Sequence, residues 1–282
     1  MPDSSLSPLP GFKPVSLALG AARLTAQAGG QGRPLVLLHS LLADRTSFDR
    51  VAGTLAATHH VIALDLPGFG ASDFVDGGLD AVADRVAAAI AALQLPEPPI
   101  LLGNGYGGFV ALTAAIRHPA LARRLVLADC GAAFSDPGRA AFNGMAAAAD
   151  KGGLAAVADV AMRRLFAPEY QALHPELIAQ RKERFLALAP RTFRSACLAL
   201  SGLDLRDQLS SVQVPVLVLV GEADEATPPP MAKELAAGLP NAQLQILAGC
   251  AHVPQLQAPQ LFLDAIAEFI GASVRSAASP KA

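Results

Sequence analysis

Short, continuous apolar runs alternate with helix-like segments along most of this chain, and this alternation restricts the fold more than any single motif does. The runs most typical of strands lie at 34–40, 98–105, 123–130 and 214–224. A continuous apolar run of this kind indicates a strand buried on both faces of a parallel sheet. Because strands that alternate with helices form a sheet covered on both sides, we predict a three-layer α/β fold with a mostly parallel sheet.

Composition and spacing predict the remaining elements. Two short strands near 15–19 and 21–28 form an opening hairpin, a further strand lies within 60–73, and a last strand covers 242–248. Helices are predicted at 79–93, 106–118, 228–238 and 254–270. The predicted order therefore places six strands before residue 133 and two after residue 211.

The alternation stops between 133 and 211, where the chain has helical segments but no strand-like apolar run. Long connections without structure are uncommon in compact domains, so we predict a helical cap inserted after the sixth strand. The Pro- and Ser-rich start of the chain favours a disordered terminus. The predicted organisation is a core of 13–132 and 212–271, a cap of 133–211, and disordered tails of 1–12 and 272–282.

The turn within ILLGNGYGGFV, at 100–110, allows two interpretations. Its glycines spell G-x-G-x-x-G between a strand and a helix, and Asp129 ends the next strand, as in a dinucleotide-binding site. The same letters fit G-x-S-x-G, a corner that presents a nucleophile, with Gly105 in place of the serine. We favour the second interpretation, because the turn lies about a hundred residues into the α/β pattern and the neighbouring motifs have no role in a dinucleotide fold.

Those neighbouring motifs follow other predicted strands. HSLLADRTSFD and LDLPGFGASD lie before the glycine turn, and VGEADEATPP and AHVPQLQAPQLF lie after it. The last two contain Asp224 and His252, each in a loop after a strand. The order of nucleophile turn, acid and histidine is the order of a hydrolase catalytic triad.

In these motifs the chain resembles the α/β-hydrolase superfamily, from about residue 14 to 271, and within it the 3-oxoadipate enol-lactonase-like branch. RLFAPEYQALHPELI, LSGLDLRDQL and VPVLVLVGEADEATPP carry the same resemblance. It implies a buried site between cap and sheet, action on a carboxylated enol-lactone in aromatic catabolism, and no organic cofactor. It also implies that Asp224 and His252 are the triad acid and base, and that the N–H groups of Leu41 and Tyr106 form the oxyanion hole.

Gly105 departs from that branch, which has serine at this position. Glycine has no Oγ for an acyl intermediate, but it adopts a sharp corner without a Cβ clash, so we expect the turn to be intact. We expect a water in the space left beside His252. Ser40 is an alternative nucleophile, but we favour its interpretation as a small residue that the oxyanion turn requires and that borders the substrate. Cys130 and Cys250 are interpreted as buried structural cysteines.

Three hypotheses about function follow. In the first, the His252–Asp224 dyad is a general base without a serine nucleophile, acting on a small ester, enol-lactone or keto acid. Hydrolysis, decarboxylation, isomerisation and retro-aldol cleavage all fit that apparatus. In the second, the chain is a catalytically inactive homologue that binds a small molecule. In the third, it is an ordinary serine hydrolase or enol-lactonase whose serine was altered to glycine.

The cap carries arginines that could bind a substrate carboxylate, and the candidates are Arg163, Arg164 and Arg194. The formal net charge of −2 gives no attraction for nucleic acid or an anionic membrane. Three cysteines without metal-ligand spacing predict no metal site and favour a reducing cytoplasm. We therefore expect a small-molecule substrate or ligand, with no nucleic acid, membrane or cofactor. The oligomeric state stays open, with a homodimer as one arrangement.

Overall fold

The computed structural model describes residues 9–271, and eight strands of this part form one sheet of order β1-β2-β4-β3-β5-β6-β7-β8. The first two strands and the β2–β4 pair are antiparallel, and the other pairs are parallel. The strand bounds are β1 Phe12–Leu19, β2 Ala22–Gly29, β3 Arg33–Leu38, β4 His59–Leu64, β5 Ile100–Asn104, β6 Arg124–Ala128, β7 Val216–Gly221 and β8 Ala242–Leu247. The prediction of a mostly parallel sheet is confirmed.

Helices cover both faces of this sheet. Their bounds are α1 Asp49–Ala56, α2 Gly78–Ala92, α3 Tyr106–Arg117, α4 Asp136–Gly152, α5 Ala158–Leu165, α6 Pro168–Leu173, α7 Pro175–Leu186, α8 Pro190–Ser201, α9 Pro229–Gly238, α10 Pro254–Gln257 and α11 Pro259–Ile270. Side chains alternate between faces along a strand, so Val36 and Leu38 join the apolar cluster of α2 and α3, whereas Leu35 and Leu37 join that of α1 and α11. The three predicted layers are therefore present.

The structure differs from the prediction in three elements. The helix predicted at 254–270 is divided at Ala258, with φ −138° and ψ 67°, because a proline disfavours the helical conformation of the residue before it. Helix α1 was not predicted. The Leu9 N–H donates to Gln27 Oε1 at 3.2 Å and its carbonyl accepts from the Phe12 N–H at 2.9 Å, and Phe12 is buried and begins β1, so the core starts before the predicted boundary at 13. Residues 1–8 and 272–282 of the predicted tails lie outside the described residues.

Five helices, α4 to α8, lie between β6 and β7, at the predicted position of the cap. Arg139 joins the two ends of this helical segment. It donates to the carbonyl of Phe134 at 2.9 Å and to the carbonyls of Ser201 and Leu203, each at 3.2 Å. The cap thus begins and ends at one place above the sheet. No helix within 9–271 combines the length and apolar character needed to cross a membrane.

The cap is also tied to the loop that follows β3. Arg181 and Arg184 on α7 lie 3.6 and 3.3 Å from the carboxylate oxygens of Asp44. Burial alone would raise the pKa of Asp44, but the charge of Arg181 and the Thr46 hydroxyl hold it below its usual range. This partly buried ion cluster ties the cap to the turn that β3 leads into.

Candidate active site

Four loops at the carboxyl ends of strands surround one cavity beneath the cap. They are the β3 turn (39–42), the β5 turn (104–106), and the loops after β7 and β8. The cavity volume is about 30 Å³, which is room for about one water molecule. Its lining residues are Ser40, Leu41, Leu42, Gly105, Tyr106, Phe109, Phe134, Phe142, Met145, Arg164, Leu200, Ala226, Thr227 and His252.

His252 and Asp224 form a buried pair at one side of this cavity. The Nδ1–H of His252 donates to Asp224 Oδ2 at 2.9 Å, which leaves Nε2 as the hydrogen-bond acceptor that faces the cavity. Asp224 also accepts from the Ala226 and Thr227 N–H groups, at 2.8 and 3.1 Å, and from the Thr227 hydroxyl at 2.6 Å. A carboxylate held by this many donors orients the imidazole in a single tautomer.

The electrostatics of Asp224 favour its ionised form. Burial alone would raise the pKa of this carboxyl, but His252, first by charge and then by its hydrogen bond, together with Thr227, lowers the pKa below its usual value. The charged carboxylate can therefore stabilise an imidazolium on His252 when the histidine takes up a proton. The pair has the arrangement of a general base and the group that orients it.

Gly105 occupies the corner between β5 and α3 with φ 54° and ψ −120°. This positive φ is rarely adopted by residues with a side chain. The next glycine, Gly107, comes so close to the Leu38 carbonyl that a Cβ there would overlap it. The glycines of ILLGNGYGGFV thus serve a tight corner and a close helix–strand approach.

A side chain at position 105 would meet two polar groups. An ideal Cβ on Gly105 would lie 2.6 Å from Ser40 Oγ and 2.7 Å from His252 Nε2. Those two atoms are 3.3 Å apart and share a hydrogen bond. The space that we expected to hold a water beside His252 is therefore partly taken by the Ser40 hydroxyl, because no side chain at 105 keeps the two groups apart.

Two residues that line the same cavity have backbone N–H groups without an acceptor. Within residues 9–271, the N–H groups of Leu41 and Tyr106 have no hydrogen-bond acceptor, and both residues line the cavity. Their neighbours do have acceptors, since Ala43 donates to the Ser40 carbonyl at 3.3 Å and Gly107 donates to the His39 carbonyl at 3.0 Å. Unpaired N–H groups from two turns are a suitable pair of donors for an oxyanion.

His39 fixes the β3 turn from inside the core. Its Nε2 accepts from the Leu66 N–H at 3.2 Å, and its Nδ1–H donates to the Ser40 carbonyl at 2.9 Å. Burial lowers the pKa of His39 to about 4, so the ring is neutral at neutral pH and can accept on one nitrogen while it donates on the other. The position of the Ser40–Leu41 peptide follows from this bond.

A polar network beneath the site was not predicted. Asn104 Nδ2 donates to the His252 carbonyl at 2.9 Å and to Asp129 Oδ2 at 3.1 Å, and Gln255 donates to Asn104 Oδ1 at 3.0 Å. Asp129 also accepts from the Gly221 N–H at 2.8 Å. Burial, and then the nearby Asp224 charge, raise the pKa of Asp129 well above its usual range. The sequence signal was available, since Asn104 is a polar residue inside an apolar strand.

The cap supplies an apolar wall and one cation. Phe134, Phe142, Met145 and Leu200 line the cavity, and the Arg164 guanidinium lies 5.9 Å from the centre of the Phe142 ring. The other two arginine candidates lie away from the cavity. Arg163 is exposed, and Arg194 pairs with Asp150 at 2.9 Å on the cap surface. Both lie on faces of their helices that are directed to solvent.

No group of three or more potential metal ligands occurs among the described residues. The cysteines Cys130, Cys197 and Cys250 are buried and unpaired with one another. The groups at the site are the His252–Asp224 pair, two backbone N–H donors, one serine hydroxyl, one arginine and an apolar wall.

Comparison with known proteins extends this description. Residues 35–265 match the model of the alpha/beta hydrolase family. The pimeloyl-[acyl-carrier protein] methyl ester esterase of Neisseria meningitidis is 33% identical over 255 residues, which is 84% of this chain and 93% of that protein. The 3-oxoadipate enol-lactonase 2 of Acinetobacter baylyi is 26% identical over 258 residues, 90% of this chain and 95% of that protein.

Among solved structures, a thermophilic esterase from Thermogutta terrifontis superposes with a TM-score of 0.83 at 27% identity, covering 92% of this chain and 98% of that chain. The similar proteins thus include esterases as well as an enol-lactonase. The resemblance to the enol-lactonase-like branch is one of at least two, and the methyl ester esterase has the higher identity.

Proposed function

This chain belongs to the alpha/beta hydrolase family, and from that premise we propose that it cleaves the ester or lactone bond of a small, carboxylated substrate whose reacting carbonyl group enters the cavity between sheet and cap. His252 is the general base, Asp224 orients it, and the N–H groups of Leu41 and Tyr106 bind the oxyanion. One observation carries the proposal: a carboxylate-paired histidine and two residues whose N–H groups have no acceptor in the described part of the chain line one cavity.

The mechanism needs no side chain at residue 105. His252 takes a proton from water, the water oxygen adds to the substrate carbonyl carbon, and charge develops on the carbonyl oxygen between the two N–H donors. Fixed donors aimed at a developing charge are worth most in a site that excludes water. The protonated histidine then gives its proton to the leaving oxygen as the tetrahedral intermediate collapses.

Two features support this class of substrate. The similar proteins include a methyl ester esterase and an enol-lactonase, which favours an ester or lactone over a keto acid. Arg164 lines the cavity, and no ion pair to it occurs among the described residues, so its charge is available for a substrate carboxylate.

The space around residue 105 is narrow. Ser40 Oγ and His252 Nε2 would each lie within 2.7 Å of a Cβ at that position, so a side chain there would require these two side-chain ends to move. The activity of the parent chain separates an enzyme that works with glycine at the β5 turn from a hydrolase whose serine was altered.

The test is hydrolysis of a panel of short aryl esters, dicarboxylic acid monomethyl esters and enol-lactones by the parent and by His252→Ala. We expect turnover by the parent and a loss of about a thousandfold or more in the variant. His118→Ala is the matched control, because His118 pairs with Asp84 at the other end of α3. Equal turnover by the parent and His252→Ala would contradict the proposal, and tight binding of the panel without turnover would favour a binding protein.

A further inference from the structure

The Ser40 hydroxyl occupies the place beside the base that a side chain at residue 105 would otherwise fill. We infer that Ser40 is the nucleophile of this site, and that an acyl group forms on the β3 turn instead of the β5 turn. The inference rests on the proposed function and adds a covalent step before the water attack.

The first support is the relay of hydrogen bonds. Ser40 Oγ lies 3.3 Å from His252 Nε2, and His252 Nδ1 lies 2.9 Å from Asp224 Oδ2. A nucleophile within reach of a base, which a third group orients, is the general arrangement of activated serine. The Oγ–Nε2 distance is long for a hydrogen bond to a hydroxyl, as such contacts often are before a substrate tightens them.

The second support is the position of the oxyanion donors. A serine nucleophile on the β5 turn would be followed by the Tyr106 N–H, with the Leu41 N–H opposite. Ser40 is followed by the Leu41 N–H, with the Tyr106 N–H opposite, and neither donor has an acceptor within residues 9–271. The pair of donors is thus the same whichever turn carries the hydroxyl, and the inference places an oxyanion formed by attack from Ser40 between them.

The third support is that the β3 turn is rigid. The Ser40 carbonyl accepts from the His39 Nδ1–H at 2.9 Å and from the Ala43 N–H at 3.3 Å, and Ser40 itself is 1% exposed. A nucleophile is most effective when the backbone that carries it is already in place. Ser40 meets this condition through bonds that do not involve its hydroxyl.

Other nucleophiles are less suitable. Thr227 Oγ1 donates to Asp224 Oδ2 at 2.6 Å, so this hydroxyl serves the acid. Cys130 and Cys250 are buried and do not line the cavity. Burial raises the pKa of the Cys250 thiol to about 11, which leaves little thiolate at neutral pH.

The added step is balanced in atoms and electrons. The Ser40 proton passes to His252 Nε2, the Oγ–carbon bond forms, and the carbonyl electron pair moves to the oxygen. When the intermediate collapses, the bond to the leaving oxygen breaks and His252 returns the proton to that oxygen. Water then gives a proton to His252 and attacks the acyl carbon, and Ser40 Oγ leaves and regains a proton.

The experiment is labelling with a fluorophosphonate, followed by tryptic mapping. Trypsin places the candidate positions in different peptides. Ser40 is the single serine of the peptide at 24–45, and Ser47 lies in the peptide at 46–50. The β5 turn lies in the peptide at 86–117, which has no serine. We expect one phosphonyl group per molecule, on 24–45. This mapping is done on the parent chain, so it does not depend on the folding of any variant.

Ser40→Ala should lose the label, and its ester turnover should fall by at least about a hundredfold. Ser47→Ala is the matched control, because Ser47 is buried on the same segment but does not line the cavity, and it should label as the parent does. A label on another peptide, or no label at all, would overturn the inference.

The variants separate failure of the inference from failure of the proposed function. If Ser40→Ala keeps full turnover while His252→Ala loses it, water attacks directly, and the inference fails while the proposed function stands. If both variants keep the parent's turnover, the proposed function fails as well.

Discussion

The β3 and β5 turns face each other across the cavity and are built by different means. The β3 turn is held by a side chain, since neutral His39 binds the Ser40 carbonyl. The β5 turn is held by backbone conformation, since Gly105 adopts a φ of 54°. Each turn presents one N–H group to the cavity, but only the β3 turn has a hydroxyl beside His252. In the mechanism proposed above, the same base and the same two N–H donors serve a nucleophile on either turn.

The largest effect should come from disrupting the His252–Asp224 pair, which serves both turns. Asp224→Asn removes the charge that orients and stabilises His252, and we expect kcat for ester cleavage to fall by about a thousandfold or more. Asp150→Asn, which changes an acid in a surface pair with Arg194, is the control and should behave as the parent. Steady-state kinetics check this. A kcat of Asp224→Asn within tenfold of the parent value would contradict the role of the His252–Asp224 pair as the general base.

The second prediction concerns the β3 turn alone. The pKa of His39 is about 4 when folded and about 6.5 in an unfolded chain. Between these values the unfolded state binds more protons, so the free energy of unfolding should fall as pH drops from about 6.5 to about 4, by on the order of 3 kcal/mol. Denaturant titrations of the parent and His39→Asn measure this contribution as their difference, and an identical pH dependence of the two would contradict a neutral His39.

The third prediction moves the serine from the β3 turn to the β5 turn. Gly105→Ser places a Cβ 2.6 Å from Ser40 Oγ at a positive φ, and we expect it to lower the free energy of unfolding by about 1–3 kcal/mol. Adding Ser40→Gly removes the crowding, so the double variant should recover part of that loss and carry the phosphonate label on 86–117. Ser40→Gly alone is the control, and additive energies in the cycle would mean that the turns do not compete for one space.

The smallest effect should come from the cap. Arg164→Gln should raise KM for a carboxylated ester by about tenfold, roughly 1.4 kcal/mol, and leave KM for a neutral ester nearly unchanged. Arg163→Gln is the matched control, because that exposed neighbour does not line the cavity. Steady-state kinetics of each variant on both esters measure these changes in KM. An equal rise in KM for both esters in Arg164→Gln would contradict the proposal that the substrate carries a carboxylate.

Much of the fold could be predicted because burial on both faces leaves a direct trace in the sequence. Strand β7 is an unbroken apolar run and β3 is apolar after Arg33, and the order of such strands with helices limits the topology. The division of α10 from α11 was missed although Pro259 marks it, because an apolar helical pattern continues across the break.

The site was predictable to the extent that its residues lie in strand-end motifs. Asp224 and His252 follow from the order of such motifs, and the structure pairs them. The contact between Ser40 and His252 joins residues 212 positions apart, and no local pattern encodes it. The same limit applies to the arginines. The sequence does not tell which face of a cap helix lies toward the cavity, and therefore did not predict that Arg164 lines the cavity whereas Arg194 lies on the cap surface.

A crystal structure of the protein after reaction with a fluorophosphonate tests the central claim most directly. We predict that phosphorus is bonded to Ser40 Oγ, with a phosphonyl oxygen within hydrogen-bond distance of both the Leu41 and Tyr106 N–H groups and with His252 Nε2 adjacent. Phosphorus on any other residue, or a phosphonyl oxygen directed away from those two N–H groups, would contradict the account.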